Sequence, residues 1–213
     1  MSEIKIGTVI PSAKNIPEFA RRAEALGYDF LGSGEHMMFH GPVSNSIINL
    51  SVAAGATSRI KLMSTVVLLP LYNPMVLAKL TSVLDVASDG RYHMGIGIGG
   101  EFPKEFEACG VPLNQRGSRS NEALEVITRL WTEENVTFEG RYSKFSGVTI
   151  SPPPAQQPHP PIRKRGRQTK VIPLSETSIK SEANSWQEQP AKAPHRKELP
   201  TIRRNTIRLN RRT

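Results

Sequence analysis

Short apolar runs alternate with amphipathic helical stretches over the first hundred residues, and this alternation constrains the fold more than any other feature of the chain. Residues 4–10 form the first run, closed by Pro11, and residues 28–33, 60–69 and 91–97 form three more. Their length and content of β-branched and aromatic residues suit buried strands. Residues 60–69 hold few polar side chains, as expected of a parallel strand covered on both faces. Between the runs lie helices. Asn15 is placed to cap the first, Pro17 suits its first turn, and Ile16, Phe19, Ala20, Ala23 and Leu26 make an apolar stripe ending at Gly27. A second helix is expected over 46–57. A third, over 75–88, carries Val76, Leu77, Leu80, Val83, Leu84 and Ala87 until Asp89-Gly90 stops it. Strand and helix alternating at this spacing imply right-handed crossovers and a parallel sheet, the α/β class.

A further helix is expected over 120–133, with Leu124, Ile127, Leu130 and Trp131 on one face. Residues 136–150 are expected to form a hairpin turning near Gly140, and a Pro/Gln-rich run fills 151–162. Charge divides the chain at that point. Residues 1–162 hold 14 Lys/Arg against 15 Asp/Glu, whereas residues 163–213 hold 14 against 4 and supply the whole +9 excess. The body is thus a near-neutral globular domain, and 163–213 is a basic tail with no recognisable domain. That tail has four prolines and no sustained apolar periodicity, so disorder is expected there. Its charge could neutralise phosphates. With Trp186 its only aromatic, base stacking has little to work with, which makes a nucleic-acid partner a poor expectation. A single cysteine, Cys109, and an opening without an apolar leader point to a cytoplasmic protein. No stretch approaches the ~18 uninterrupted apolar residues of a membrane helix, so no membrane partner is expected.

Several local signatures, taken in order, resemble the bacterial-luciferase-like family of flavin- and coenzyme F(420)-dependent oxidoreductases. They begin with Glu35-His36 after the second strand and Ser64-Thr65-Val66-Val67-Leu68-Leu69-Pro70 in the third. Asn73-Pro74, Leu77-Ala78-Lys79 and Leu84-Asp85 follow, then the run Gly90-Arg91-Tyr92-His93-Met94-Gly95-Ile96-Gly97-Ile98-Gly99. Glu105-Phe106, Arg116-Gly117, Glu122, Phe138-Glu139-Gly140-Arg141-Tyr142 and Pro158-His159-Pro160-Pro161-Ile162 complete the series. Each is weak alone; their order over some 150 residues is what makes the likeness specific. The resemblance implies a (β/α)₈ TIM-barrel type fold. A full barrel takes about 250 residues, so the chain is expected to hold an incomplete one, about four or five βα units over 1–162. After Ile162, Arg163-Lys164-Arg165-Gly166 departs from the family's pattern, which suggests a truncated or rearranged sequence.

Barrel sites form at the carboxyl ends of the strands, and three candidate features fall there. The resemblance makes His36 the catalytic candidate, exchanging a proton with a flavin ring or substrate near neutral pH, with Glu35 orienting it or walling the pocket. A solvated loop histidine is the plain alternative. Thr65, Val66 and Val67 are expected to approach the cofactor ring, and the resemblance implies a non-prolyl cis bond at Val66-Val67 forming a bulge behind it; a plain buried strand is the alternative. The resemblance places Gly97, Ile98 and Gly99 beside the ring; a glycine-rich run, which lets backbone come close to a ligand, is weak evidence by itself. Gly100 stands where many relatives place an aromatic, and would leave that wall open. Glu105 and Arg116 are expected to be structural, pairing with backbone or each other, His93 to point into or behind the sheet, and Cys109 to fill core.

The resemblance implies a small-molecule substrate and either coenzyme F(420) or FMN, F(420) being favoured by the Gly-Arg-Tyr strand and the Phe-Glu-Gly-Arg-Tyr hairpin. Two further readings stand beside that one: an inactive remnant of the family, and a nucleic-acid-binding tail. Four parallel strands alone would leave the fourth with an unpaired edge, through which homo-oligomers could form.

Overall fold

A computed structural model of the chain describes residues 5–164. Strand β1 (Gly7–Val9) leads through α1 (Ile16–Ala25) to β2 (Phe30–Ser33), α2 (Ser46–Ala54), β3 (Lys61–Ser64) and the very short β4 (Val67–Leu68). After a 3₁₀ turn at Leu69–Leu71 come α3 (Pro74–Ala87), β5 (Tyr92–Gly97), α4 (Pro103–Ala108), a second 3₁₀ turn at Leu113–Gln115 and α5 (Arg116–Thr132). The hairpin β6 (Val136–Glu139) and β7 (Lys144–Val148) precedes β8 (Ile162–Lys164). The strands of the main sheet pair in parallel in the order β1, β2, β3, β5, with β4 and β8 both added to β5. This is the parallel α/β architecture that the alternation demanded. The basic tail, from residue 165 onward, lies outside the described residues.

Local sequence explains most boundaries. The Asn45 side chain accepts from Ile48 N at 3.1 Å and starts α2, and Asn73 accepts from Met75 N at 3.0 Å and Val76 N at 3.3 Å ahead of Pro74, starting α3. Asn15 behaves differently from the expectation. It takes a left-handed φ of 56° with no side-chain cap bond, a conformation asparagine tolerates, and Pro17 has already removed one of the donors a cap would serve. The third apolar run is not one strand: it breaks between β3 and β4, where the Thr65-Val66 peptide is cis. Sequence placed that bond one residue later. Helix α4 was not foreseen, and α5 begins at Arg116, four residues ahead of expectation.

Register divides the sheet into two faces. Leu31, Leu62 and Tyr92 are partners across β2, β3 and β5 and are fully buried, in a core shared with Leu50 of α2, Leu77 of α3 and Leu130 of α5. Gly32, Met63 and His93 are likewise partners and share the other face. The Arg91 guanidinium donates to the carbonyls of Ala54, Thr57 and Ile60, and to that of Ser88, tying the start of β5 to the end of α2. Gln156, from the Pro/Gln-rich run, bonds the buried Asp85 carboxylate through both its backbone N and Nε2, and donates to the Tyr92 carbonyl at 2.7 Å. That clamp delivers the chain to β8, which pairs with Met94, Gly95 and Ile96. Strand β5 is therefore not left with the bare edge that four strands alone would give, and β8 runs through the boundary placed at 162.

Candidate functional site

The carboxyl ends of β1, β2 and β5, with the bulge between β3 and β4, enclose a cavity of about 900 Å³. Of the residues singled out from sequence, Glu35, His36, Thr65, Val66, Gly97, Ile98 and Gly99 line it. Val67 does not: it is fully buried in β4, one residue past the bulge. Ser12, Lys14, Ser44 and Glu101 also face the cavity and were not foreseen.

The bulge explains the glycine spacing in β5. A Cβ at Gly95 would land on the Ser64 carbonyl, and one at Gly97 would sit 2.6 Å from Val66 Cγ2. Two of the glycines thus make room for the neighbouring strand as well as for anything in the cavity, a role the expectation of ligand approach had missed. Ser64 locks the same junction, its hydroxyl donating to Gly95 O at 3.0 Å and accepting from Gly95 N at 2.9 Å. On the other side, a Cβ at Gly32 would meet Thr65 Cγ2 at 3.1 Å. The wall after β5 is not open at Gly100 either, because the Arg116 side chain packs there, within 3.0 Å of where its Cβ would be.

Glu35 and His36, adjacent in sequence, do different work. The Glu35 carboxylate is buried and accepts from Ser46 N at 3.1 Å, Ser46 Oγ at 2.7 Å, Asn45 Nδ2 at 3.3 Å, Leu68 N at 3.0 Å and Tyr72 Oη at 3.1 Å. It joins the end of β2 to the start of α2, to β4 and to the turn before α3. Burial, with the Glu35 charge beside it, pushes the Tyr72 phenol well above its ordinary range, so Tyr72 stays a donor. Glu35 therefore does not orient His36.

Glu105 does, from 69 residues away in α4. Its fully buried carboxylate lies 3.1 and 3.2 Å from His36 Nδ1 and accepts from Met37 N at 3.2 Å. A carboxylate can only accept, so Nδ1 carries the hydrogen and Nε2 is the nitrogen left for chemistry. Phe39 stacks on the imidazole at 4.1 Å and meets Phe102 edge-on at 5.7 Å, so the loop after β2 and the loop after β5 close over this pair together. The sequence signal for Glu105 was its place in the Glu105-Phe106 motif; nothing local linked it to His36. Arg116 pairs with backbone as expected, donating to Leu113 O at 2.9 Å. His93 is buried on the sheet face it shares with Gly32 and Met63, and Cys109 is only partly buried, at the end of α4. Among the described residues no helix is long and apolar enough to cross a membrane.

Residues 2–172 match the luciferase-like monooxygenase family. An F420-dependent glucose-6-phosphate dehydrogenase of Kineococcus radiotolerans is 33% identical over 148 residues, 66% of this chain and 44% of that protein. An FMNH(2)-dependent dimethylsulfone monooxygenase of Pseudomonas putida is 32% identical over 114 residues, 52% of this chain and 31% of that protein. The crystal structure of monooxygenase RslO1 from Streptomyces bottropensis superposes with a TM-score of 0.68 at 31% identity, covering 76% of this chain and 53% of that one. The chain spans about half the length of these relatives or less, and over that span its fold is of their barrel type.

Proposed function

The chain belongs to the luciferase-like monooxygenase family, and from that premise we propose that it is an oxidoreductase whose cavity takes coenzyme F(420), in preference to FMN, beside a small-molecule substrate. The observation that carries this reading is His36, held from behind by the buried Glu105, on the wall of a cavity of about 900 Å³ at the strand ends. The residues suit a planar ring. Thr65, Val66, Gly97, Ile98 and Gly99 offer it backbone and small side chains without charge, on a wall fixed by the Ser64–Gly95 bonds. When bound, the cofactor supplies hydride or oxygen-transfer chemistry. The protein's share is to hold a proton. His36, with Nδ1 engaged by Glu105, presents Nε2 as an acid or base, and Glu105 acts as a positioning residue that sets the tautomer. Phe39, stacked on His36 and edge-on to Phe102, packs over one side of that pair. The preference for F(420) is supported by the Gly90-Arg91-Tyr92 strand and the 138–142 hairpin. With a single cysteine, the chain fits a reducing cytoplasm.

The test is fluorescence quenching of the purified chain with F(420) and with FMN at two salt concentrations, followed by turnover assays of wild type and His36→Ala. Binding of F(420) in the cavity with turnover lost by about 10²–10⁴-fold in His36→Ala is the expected outcome. Failure of both cofactors to bind at tens of micromolar would sink the proposal.

A further inference from the structure

Where the turn of the β6–β7 hairpin meets the start of α5, three arginines gather, and none of them is ion-paired among the described residues. Arg116 and Arg119 lie one turn apart on α5, and Arg141 comes from the hairpin turn. Tyr142 holds two of them: the Arg119 guanidinium lies 4.4 Å from the centre of its ring and that of Arg141 5.3 Å. The ring itself is fixed. Ser118 Oγ donates to Gln115 O at 3.0 Å, which leaves Tyr142 Oη to donate to Ser118 Oγ at 2.8 Å. The carboxylate of this corner, Glu122, is already engaged, accepting from Arg141 N at 2.7 Å and from Tyr142 N at 2.8 Å. Stacking occupies the face of a guanidinium and leaves its in-plane N–H groups open. Arg119 uses only Nε, on Gln115 Oε1 at 3.1 Å, and the Arg141 guanidinium donates to no acceptor among the described residues. Arg116 donates to Leu113 O through Nη1, and its buried Nε has no partner among the described residues. The α5 dipole disfavours cations in its first turn, and no acidic residue there offsets them.

We propose that this corner is a binding site for a phosphate group of a small molecule, with Arg119 and Arg141 as fork donors and Arg116 adding charge. Two arguments select an anion, and phosphate among anions. The first is charge: like charges held together with their donors open repel one another until an anion joins them. The second is the number of donors. One guanidinium fork engages both oxygens of a carboxylate, whereas the several oxygens of a phosphate accept from two forks at once. Tyr142 keeps those two forks together, so the site is arranged before its ligand arrives. The phosphate belongs either to a free compound or to the side chain of a cofactor in the neighbouring cavity. Arg116 also packs on Gly100, between the cavity-lining Gly99 and Glu101, so the corner adjoins that wall.

The test is thermal melting of the full chain with pyrophosphate as the probe, against malonate and against chloride at matched ionic strength. At about ten times its dissociation constant, pyrophosphate should raise the wild-type melting temperature by roughly 3–5 °C, well beyond the effect of either control. The rise should vanish in Arg119→Gln/Arg141→Gln with the far-UV spectrum unchanged. If that variant does not fold, wild-type amide NMR carries the same expectation, with shifts at Gly117, Ser118 and Tyr142 under pyrophosphate and none under chloride. No rise in wild type, an equal rise in the double variant, or a rise matched by chloride overturns the proposal, and one matched by malonate overturns the choice of phosphate. Capture by the basic residues 163–213 cannot imitate the expected result, because it does not stabilise the folded domain and does not depend on Arg119 or Arg141. Competition then assigns the source. F(420) quenching weakened about tenfold by the same pyrophosphate, in wild type and not in the double variant, assigns the phosphate to the cofactor. Quenching indifferent to pyrophosphate assigns it to a free compound, and the site stands in both cases.

Discussion

His93, in β5, and His36, in the loop after β2, sit in opposite circumstances. The His93 ring meets Phe30 edge-on at 5.2 Å, and its Nδ1 has no hydrogen-bond partner among the described residues. Burial, aided by the positive charges of Lys61 and Arg163, holds its imidazole down to about 4. The unfolded chain takes up that proton near pH 6.5 and the folded chain does not, so stability is full above about 6.5 and falls as the pH drops through the window from 6.5 to 4. Urea unfolding at pH 7 and pH 5 should show a loss of about 1–2 kcal/mol that His93→Phe, which keeps the ring contact, abolishes. An equal slope in the variant would assign the loss to other groups. For His36 the informative change is Glu105→Gln. It keeps an acceptor but adds a donor, so ring-nitrogen NMR should show the pure Nδ1–H tautomer of the wild type giving way to a mixture. Turnover should fall about tenfold with cofactor affinity unchanged, since a positioning residue acts on the rate rather than on binding. Unchanged ring-nitrogen shifts would remove Glu105 from that role.

At the scale of elements, the junction of β3, β4 and β5 shows what sequence could and could not reveal. Gly95→Ala should destabilise the fold by about 3 kcal/mol in urea unfolding, because the added methyl meets the Ser64 carbonyl and backbone cannot yield as a side chain can. Gly55→Ala is the control: its nearest neighbour is Val52 O at 3.8 Å and its φ is −69°, so the change should be neutral or slightly stabilising. Equal effects would mean that the glycine spacing in β5 does not serve the bulge. The positions of α1, β2, α3 and β5 were legible because Gly27 or Asp89-Gly90 marks the boundary between each apolar helix and the strand after it. The break at Thr65-Val66 was legible only through the family resemblance, and then one residue out of register. An unbroken apolar run from Val66 to Leu69 gives no local sign of where the strand bends. Helix α4, Pro-Lys-Glu-Phe-Glu-Ala, is too short to show an apolar stripe, so the element that delivers Glu105 to His36 was invisible along with the contact itself. Glu35 lines the cavity, but its five hydrogen bonds come from Asn45, Ser46, Leu68 and Tyr72, residues of three segments that only the folded chain brings together.

At the scale of the whole molecule, a near-neutral domain with a cavity is joined to a segment of opposite electrostatic character, and the two make competing claims on the same ligands. F(420) and FMN both carry phosphate, while residues 163–213 hold 14 Lys/Arg against 4 Asp/Glu. Apparent cofactor binding could therefore be capture by the basic segment instead of insertion beside His36. Stability and salt separate the two. A ligand that binds only the folded cavity stabilises it by about 2.7 kcal/mol at a hundred times its dissociation constant, which for a domain of this size raises the melting temperature by roughly 5–10 °C. Capture by clustered cations works by counterion release and fades steeply with salt, and it leaves the folded domain no more stable than before. In about 0.5 M salt the rise with F(420) should persist and exceed that with FMN. A rise that vanishes at that salt, or never appears despite quenching at low salt, would assign the binding to the tail and withdraw the oxidoreductase reading for this chain. The barrel-type fold and the family would stand regardless, because they rest on the sheet and on residues 2–172 rather than on the cavity's occupant.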